Sequence, residues 1–378
     1  MAVFAWGAVF YGHSVYLDAL QQTRGWSASL ISSAILVFWF STIPGTLFVG
    51  SLVDRRGAAP VLAFGAVTVG SGVVLLGQVA APWQLFVVYA LMGIGYPALG
   101  TAGISAALAP WFDRRFGLAL GLALTGASLG GAVLPPLLVA VSADAGFATA
   151  TAMVGAAMLA LLLPAAALLA WRAGDDIGRR KSAAAPVSPP HATVAATLLR
   201  RPLFWRIAVG GALGLGAQVG FLAHQMPMLA PALGSNGAAL SVTVVALSAA
   251  AGRLVVGYLS RRIDEAWLTV ACYLAQAIGF FVLLQGNSAG VLYLGCAIAG
   301  FVVGAIVMLP PMLVRRAFGS DGFGRSYALV NVVLYVGAGL GPWLAGLLRD
   351  LTDGYAAALW LLAGMHLLGA AVLARRAQ

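Results

Sequence analysis

The sequence predicts an all-α protein that crosses a membrane about twelve times, as two similar six-helix halves. Three observations carry this expectation: the composition, the length of the apolar stretches, and an internal repeat. Of 378 residues, 61% are hydrophobic and 8% charged, against roughly 45 to 50% and about 25% in a soluble domain. So few charges cannot cover a water-facing surface. The apolar stretches are long and lack the alternation of barrel strands, and a helical span needs about 20 such residues where a barrel strand needs about 9 to 11. The 48 glycines and 17 prolines fit membrane helices, where small residues let backbones approach and neighbouring helices satisfy freed carbonyls.

Breaks at charged, Gly or Pro clusters set the elements in order. The first span covers 1–20 and stops before Arg24 and Gly25. It opens without a basic lead and closes without a cleavage pattern, so it is expected to remain as a span. The second, 27–53, ends on Asp54-Arg55-Arg56-Gly57, and 60–80 follows. The fourth, 82–109, lies between Pro82 and Pro110, and 115–141 and 146–171 complete an N-terminal half of 1–171. A linker over 172–202, rich in Arg, Ala and Pro, is expected to have little fixed structure. The C-terminal half, 203–378, holds spans at 203–230, 237–260, 265–285, 289–314, 323–348 and 354–374.

The basic residues give the orientation, because short cytoplasmic loops carry the Lys and Arg excess. Alternate connections, from Arg55 and Arg56 round to Arg375 and Arg376, hold 18 of the 21 basic residues, and the opposite side holds only Arg24 and Arg349. Both termini and the linker are therefore expected on the cytoplasmic side of a cell (inner) membrane. Arg253 alone fits neither side. The net charge of +10 is spread as short pairs between apolar stretches, which argues against a nucleic-acid partner. Cys272 and Cys296 fall within spans without metal-ligand spacing, so no metal, disulfide framework or cofactor is indicated.

Displacing the chain on itself by 207 positions pairs Gly50 with Gly257, Arg55 with Arg262, Gly93 with Gly300, Phe116 with Phe323, Gly130 with Gly337 and Pro135 with Pro342. Two parallel halves related by an axis along the membrane normal are the plan of alternating-access carriers, whose substrate site lies between the halves near the midplane.

Gly50-Ser51-Leu52-Val53-Asp54-Arg55-Arg56-Gly57 resembles the loop signature of the major facilitator superfamily. Ala58 and Ala59 stand where that signature carries a basic pair. In physical terms Gly50 permits close packing, Asp54 can face the positive N-terminus of a helix in the other half, and Arg55 and Arg56 hold the cytoplasmic side. The plainer reading is a turn with positive-inside charges. A second stretch, Trp111-Phe112-Asp113-Arg114-Arg115-Phe116-Gly117-Leu118-Ala119 on to Gly126, is similar to the signature that opens the fifth span of monocarboxylate transporters. Together they point to the monocarboxylate and oxalate-formate branch.

Arg253 sits about 10 Å inside span 8 at roughly 1.5 Å per residue, and a guanidinium at such depth costs about 2.5 to 3.5 kcal/mol on insertion scales. Its fork of donors suits a carboxylate, although structural hydrogen bonding to carbonyls is the alternative. The resemblance implies an arginine at this place, with an aspartate one turn earlier where this chain has Ala249. His13 stands where the family carries a lysine; it is a candidate to bind an anion and titrate, or a hydrogen-bonded core histidine. His224 and Gln225 precede Met226 and Pro227 on the equivalent span 7, where Pro227 is expected to mark a bend. Asn331 and Tyr335 are four apart, hence on one face of span 11, and Asn331 serves equally as a helix-helix hydrogen bond. Leu334 stands near where oxalate-formate exchangers carry a lysine, which argues against a dicarboxylate.

The function these features favour is a secondary carrier of a small organic anion, a monocarboxylate, acting as a monomer by alternating access with protons as candidate coupling ion. The alternative is an exporter of drugs or other small metabolites, which would call for acidic residues in the cavity. Four scattered histidines give no catalytic spacing, so an enzyme is not expected, and no phosphate-binding Gly-rich loop is present.

Overall fold

The computed structural model describes residues 1–109, 111–112, 115–173, 197–319 and 323–374, and its regular structure is helical. The described residues form twelve spans. Helix α1 is built in pieces, Ala2–Phe4, a π-helical turn Ala5–Phe10, and Gly12–Arg24; α2 is Ala28–Arg56, α3 Ala58–Leu76, α4 Pro82–Leu99 continued by Thr101–Leu108, α5 Phe116–Ala145 and α6 Phe147–Ala173. In the second half one long helical run, Pro202–Leu259, is divided at Gly234 into α7 (202–233) and α8 (235–259). Then come α9 Glu265–Leu284, α10 Ala289–Ile306 continued by Leu309–Phe318, α11 Phe323–Thr352 and α12 Ala356–Ala374. Gly234 has φ 70° and ψ 168°, a backbone state that costs glycine little because it has no Cβ.

The boundaries expected from sequence hold where caps set them. Asp264 accepts from the Ala266 and Trp267 amides at the start of α9, Ser288 from Val291 at α10, and Ser27 from Leu30 at α2. Each supplies an acceptor to amides that a helix start leaves unpaired. Three internal features differ from the expectation of unbroken spans. A π-helical turn interrupts α1, Gly100 in extended conformation breaks α4, and α10 breaks at Val307 and Met308 before Pro310 and Pro311 in the first turn of its second segment. Helix α7 keeps helical dihedrals through Pro227, and the departure falls at Gly234 instead. Most of the 172–202 linker, with Arg179, Arg180 and Lys181, lies outside the described residues, as do Asp113, Arg114, Arg375 and Arg376.

The 207-residue repeat reappears in the helices themselves. Helices α5 and α11 are both 30 residues long and begin at Phe116 and Phe323, α4 and α10 begin at Pro82 and Ala289, and their breaks fall at matching positions. The paired glycines do matching work. A Cβ on Gly130 would overlap the Val3 carbonyl of α1, and one on Gly337 would overlap the Ala212 carbonyl of α7, so each half joins its first and fifth helices by backbone contact that only glycine permits.

Among the described residues the halves meet through α2 with α11, α5 with the 202–259 run, and the Gly12–Arg24 segment of α1 with that same run. From the arginine-poor end to the middle of the helices the contacts are close: a Cβ on Gly346 would meet Ala28 and Ser32, one on Gly339 would meet Leu36, and one on Gly131 would meet Tyr11 and Ala246. At the arginine-rich end Gly50 of α2, Gly121 of α5 and Gly324 of α11 have no atom within 4 Å of such a Cβ. The bundle is therefore closed at the arginine-poor end and spread at the other.

Candidate functional site

The closed end is fastened by polar contacts. The Asp350 carboxylate at the end of α11 accepts from the Ala28 and Ser29 amides at the start of α2, at 3.1 and 2.8 Å. A carboxylate there also meets the positive end of the helix dipole. One turn further in, His224 of α7 bridges the halves. Its Nε2 lies 2.9 Å from the Pro342 carbonyl and 3.1 Å from the Ser32 hydroxyl, and its Nδ1 lies 3.2 Å from the Tyr355 hydroxyl. A carbonyl only accepts, so Nε2 carries the hydrogen and, in the neutral ring, Nδ1 accepts from Tyr355. The Arg349 guanidinium lies over the Tyr355 ring, 5.6 Å from its centre.

Towards the spread end the last cross-half rungs come near the middle of the helices. Between α5 and α8 the Thr243 hydroxyl donates to the Ala132 carbonyl at 2.8 Å, and further along Arg253 Nη1 reaches the Leu124 carbonyl at 3.4 Å. Between α2 and α11 the Trp39 and Tyr335 rings meet at 5.6 Å, and the Tyr335 hydroxyl reaches the Thr46 side chain. Thr46 and Arg253 are mates in the 207-residue repeat, as are Leu124 and Asn331. One member of each rung is thus a repeat mate of the other, while Tyr335 lies one turn beyond Asn331, the mate of Leu124. Together the rungs floor the opening.

Arg253 brings the one charge to this floor. Among the described residues the ion pairs join Arg316 to Asp264 and Glu265, and Arg349 to Asp353, whereas Arg253 has no carboxylate partner. Of its five donors one makes a long bond to a carbonyl. The Tyr11 hydroxyl of α1 lies within electrostatic range of it. Rings line the rest. Phe10 contacts Tyr11 at 5.5 Å and Trp39 at 6.4 Å, and Trp39 contacts Tyr96 of α4 at 6.1 Å.

The sequence-selected residues divide between this floor and other places. Arg253 and Tyr335 sit on it, and Asn331, one turn from Tyr335 on α11, is bonded to the Tyr327 side chain. His224 belongs to the closed end. Gln225, fully buried, turns into its own half and donates to Ser241 at 2.9 Å and to the Cys296 sulfur at 3.7 Å. His13 is also fully buried, stacked on Tyr89 at 5.5 Å and edge-on to Phe38 at 5.1 Å, with neither ring nitrogen hydrogen-bonded. It stands one ring layer behind Tyr96, which Phe38 touches at 5.2 Å. Asp54, Arg55 and Arg56 are exposed at the spread end, with Gly50 and Gly57 in open space.

Tyr11, Trp39 and Tyr96 were not selected from the sequence. Aromatic residues in apolar stretches give no signal that separates a site from a core, and only the closeness of Tyr11 and Trp39 to Arg253 and Tyr335 in the fold picks them out. Asp350 was likewise not selected.

The sequence model of the Major Facilitator Superfamily matches residues 1–342 and 226–377. Human monocarboxylate transporter 11 is 30% identical over 96% of this chain and 76% of its own length, and the mouse protein is 32% identical over 85% and 73%. The solved nucleoside transporter NupG superposes with a TM-score of 0.77 at 15% identity, over 98% of this chain and 95% of that one. A bacterial homologue of the human lysosomal transporter Spinster, in an inward-facing and occupied conformation, superposes with a TM-score of 0.68 at 15% identity, over 98% and 95%. These likenesses describe a transporter and not an enzyme: with its repeated six-helix halves and multi-pass helices, this chain belongs to the major facilitator superfamily.

Proposed function

We propose that this transporter carries a small organic monoanion, a monocarboxylate, by alternating access, with Arg253 as the anchor for the carboxylate. The observation that carries the reading is the unpaired guanidinium of Arg253 at the last α5–α8 rung, on the floor of the opening. A half-buried charge within a span and without a counterion is costly, and a bidentate carboxylate would satisfy the donors that the Leu124 carbonyl leaves free. The identity with monocarboxylate transporter 11 supports the same substrate class.

In this reading the arginine-rich end is cytoplasmic in the inner membrane, both termini lie there, and the conformation is inward-open. The segment Gly50 to Gly57 then acts as a latch that is disengaged here and closes on the other half when the transporter faces outward. His224, at the closed outer end, is the proton-coupling candidate, because a second proton on Nδ1 keeps Tyr355 as a partner with the donor role reversed. The exporter alternative needs a carboxylate in the cavity. Asp18 is instead bonded to Gln22 at 2.9 Å near the end of α1. The protein is expected to work as a monomer.

The test is uptake by the purified protein in proteoliposomes of labelled monocarboxylates, dicarboxylates, organic cations and neutral solutes. Saturable uptake of a monocarboxylate that Arg253→Lys weakens is the expected result. Uptake of cations or neutral solutes that persists in Arg253→Ala would overturn the assignment.

A further inference from the structure

We infer that the carboxylate this site takes is attached to a planar, conjugated or aromatic body, and that Trp39 donates a hydrogen bond to an acceptor on it. The inference rests on the proposed anion anchor and adds the chemistry of the remainder of the substrate. Six side chains from α1, α2, α4, α8 and α11 gather here: Arg253, with the Tyr11 hydroxyl in electrostatic range, and the rings of Tyr11, Phe10 and Trp39 in successive contact, with Tyr96 and Tyr335 each packed on Trp39. Their rings meet at varied angles. Phe10 stands edge-on to Trp39 at 86°, Tyr96 is at 73° to Trp39, and Tyr335 is tilted by 33°. Aromatic pairs favour offset and edge-to-face arrangements, so an aryl ligand that parts these packed rings finds partners at several angles. A short aliphatic acid would reach Arg253 and leave these rings unused.

An independent observation points the same way. Trp39 is 4% exposed, and its Nε1 has no hydrogen-bond partner. Indole nitrogens usually find an acceptor when buried, and a buried unmet donor carries a desolvation cost that a ligand acceptor would relieve. Phe10 and Tyr11 separate this donor from Arg253 by two ring contacts. A ligand with its carboxylate at one end and an acceptor oxygen or nitrogen on a planar body is the kind that can serve both groups.

The experiment uses the purified full-length protein, with thermal shift and titration calorimetry against four probes of matched concentration: propionate, benzoate, 4-hydroxybenzoate and neutral benzamide. Aryl carboxylates are expected to bind about tenfold or more tightly than propionate, with 4-hydroxybenzoate the tighter of the two. Trp39→Phe, which keeps a ring and removes the donor, is expected to erase the advantage of 4-hydroxybenzoate over benzoate and leave benzoate binding in place. Tyr96→Leu is expected to weaken benzoate and leave propionate unchanged. Equal binding of propionate and benzoate would overturn this inference and leave the anion anchor standing. Benzamide binding as tightly as benzoate would overturn the anchor, and with it the inference that rests on it. Failure of all three acids to bind would overturn both. A variant that does not fold is replaced by Tyr335→Leu, read by the same ratio of benzoate to propionate affinity.

Discussion

Replacing Asp350 by Ala removes the carboxylate that joins the end of α11 to the start of α2. Two backbone amides, Ala28 and Ser29, then lose a charged acceptor held at 3.1 and 2.8 Å. Hydrogen bonds to a charged group contribute about 1.5 to 3 kcal/mol each, but both bonds are only part-buried, so solvation recovers some of that. A net loss of about 1 to 3 kcal/mol follows, equivalent to a shift of roughly 5- to 150-fold in a two-state equilibrium. The loss falls on one state alone, because the contact exists only while the arginine-poor end is shut. Helix α2 itself stays capped, since Ser27 still accepts from Leu30. The assay is labelling of Ser32→Cys by a membrane-impermeant maleimide from the arginine-poor side, with Cys272 and Cys296 replaced by Ala. Ser32 is fully buried in the closed end, so its labelling reports opening there. Asp350→Ala is expected to raise the rate at least fivefold, and Asp350→Asn, which keeps one acceptor, to raise it less. A rate within twofold of the parent would refute the claim that this carboxylate holds the end shut.

Four further outcomes are expected. His224→Gln should flatten the pH dependence of transport between about pH 5 and 8, while His13→Gln should leave it unchanged; the opposite pattern in uptake assays would move the coupling role to His13. Gly337→Leu forces a side chain into the Ala212 carbonyl and should cost at least the roughly 1 to 3 kcal/mol of an overpacked core, seen as a lowered melting temperature. Gly50→Leu, by contrast, points into open space in this conformation, so it should leave the melting temperature in place and slow transport if the latch closes there; unchanged transport would remove the latch. Reporters fused after Gln378 and within 182–190 should both be cytoplasmic, and a periplasmic signal from either would contradict the assigned orientation.

Much of the fold was legible in the chain because bilayer thickness fixes span length and positive charge fixes sidedness. The repeat was readable for a packing reason: Gly130 and Gly337 are held in register by backbone contacts that no larger residue allows. The breaks at Gly100 and Val307 were not readable, since a glycine in a membrane helix is as often a packing contact as a kink. Arg253 stood out at the sequence level because a charge in a span has few explanations. Gln225 and His13 carried the same polar signal, yet they turn into the interiors of their own halves, and orientation about a helix axis depends on neighbours that lie far away in sequence. Trp39 and Tyr96 show the converse. Their residue types are ordinary for a membrane helix, and their role comes from meeting Tyr335 across the halves.

Arg253 either anchors the substrate or supports the fold, and the two roles differ in the protein without ligand. An anchor waiting for its anion is a half-buried, poorly paired charge, so its removal is neutral or stabilising; a structural arginine is missed as soon as it is lost. The most direct measurement is the melting temperature of one Arg253→Ala preparation without ligand and with saturating carboxylate. The account predicts an unchanged or raised melting temperature without ligand and no carboxylate-induced shift. A preparation that melts well below the parent and still shows the parent's full shift with carboxylates would contradict it.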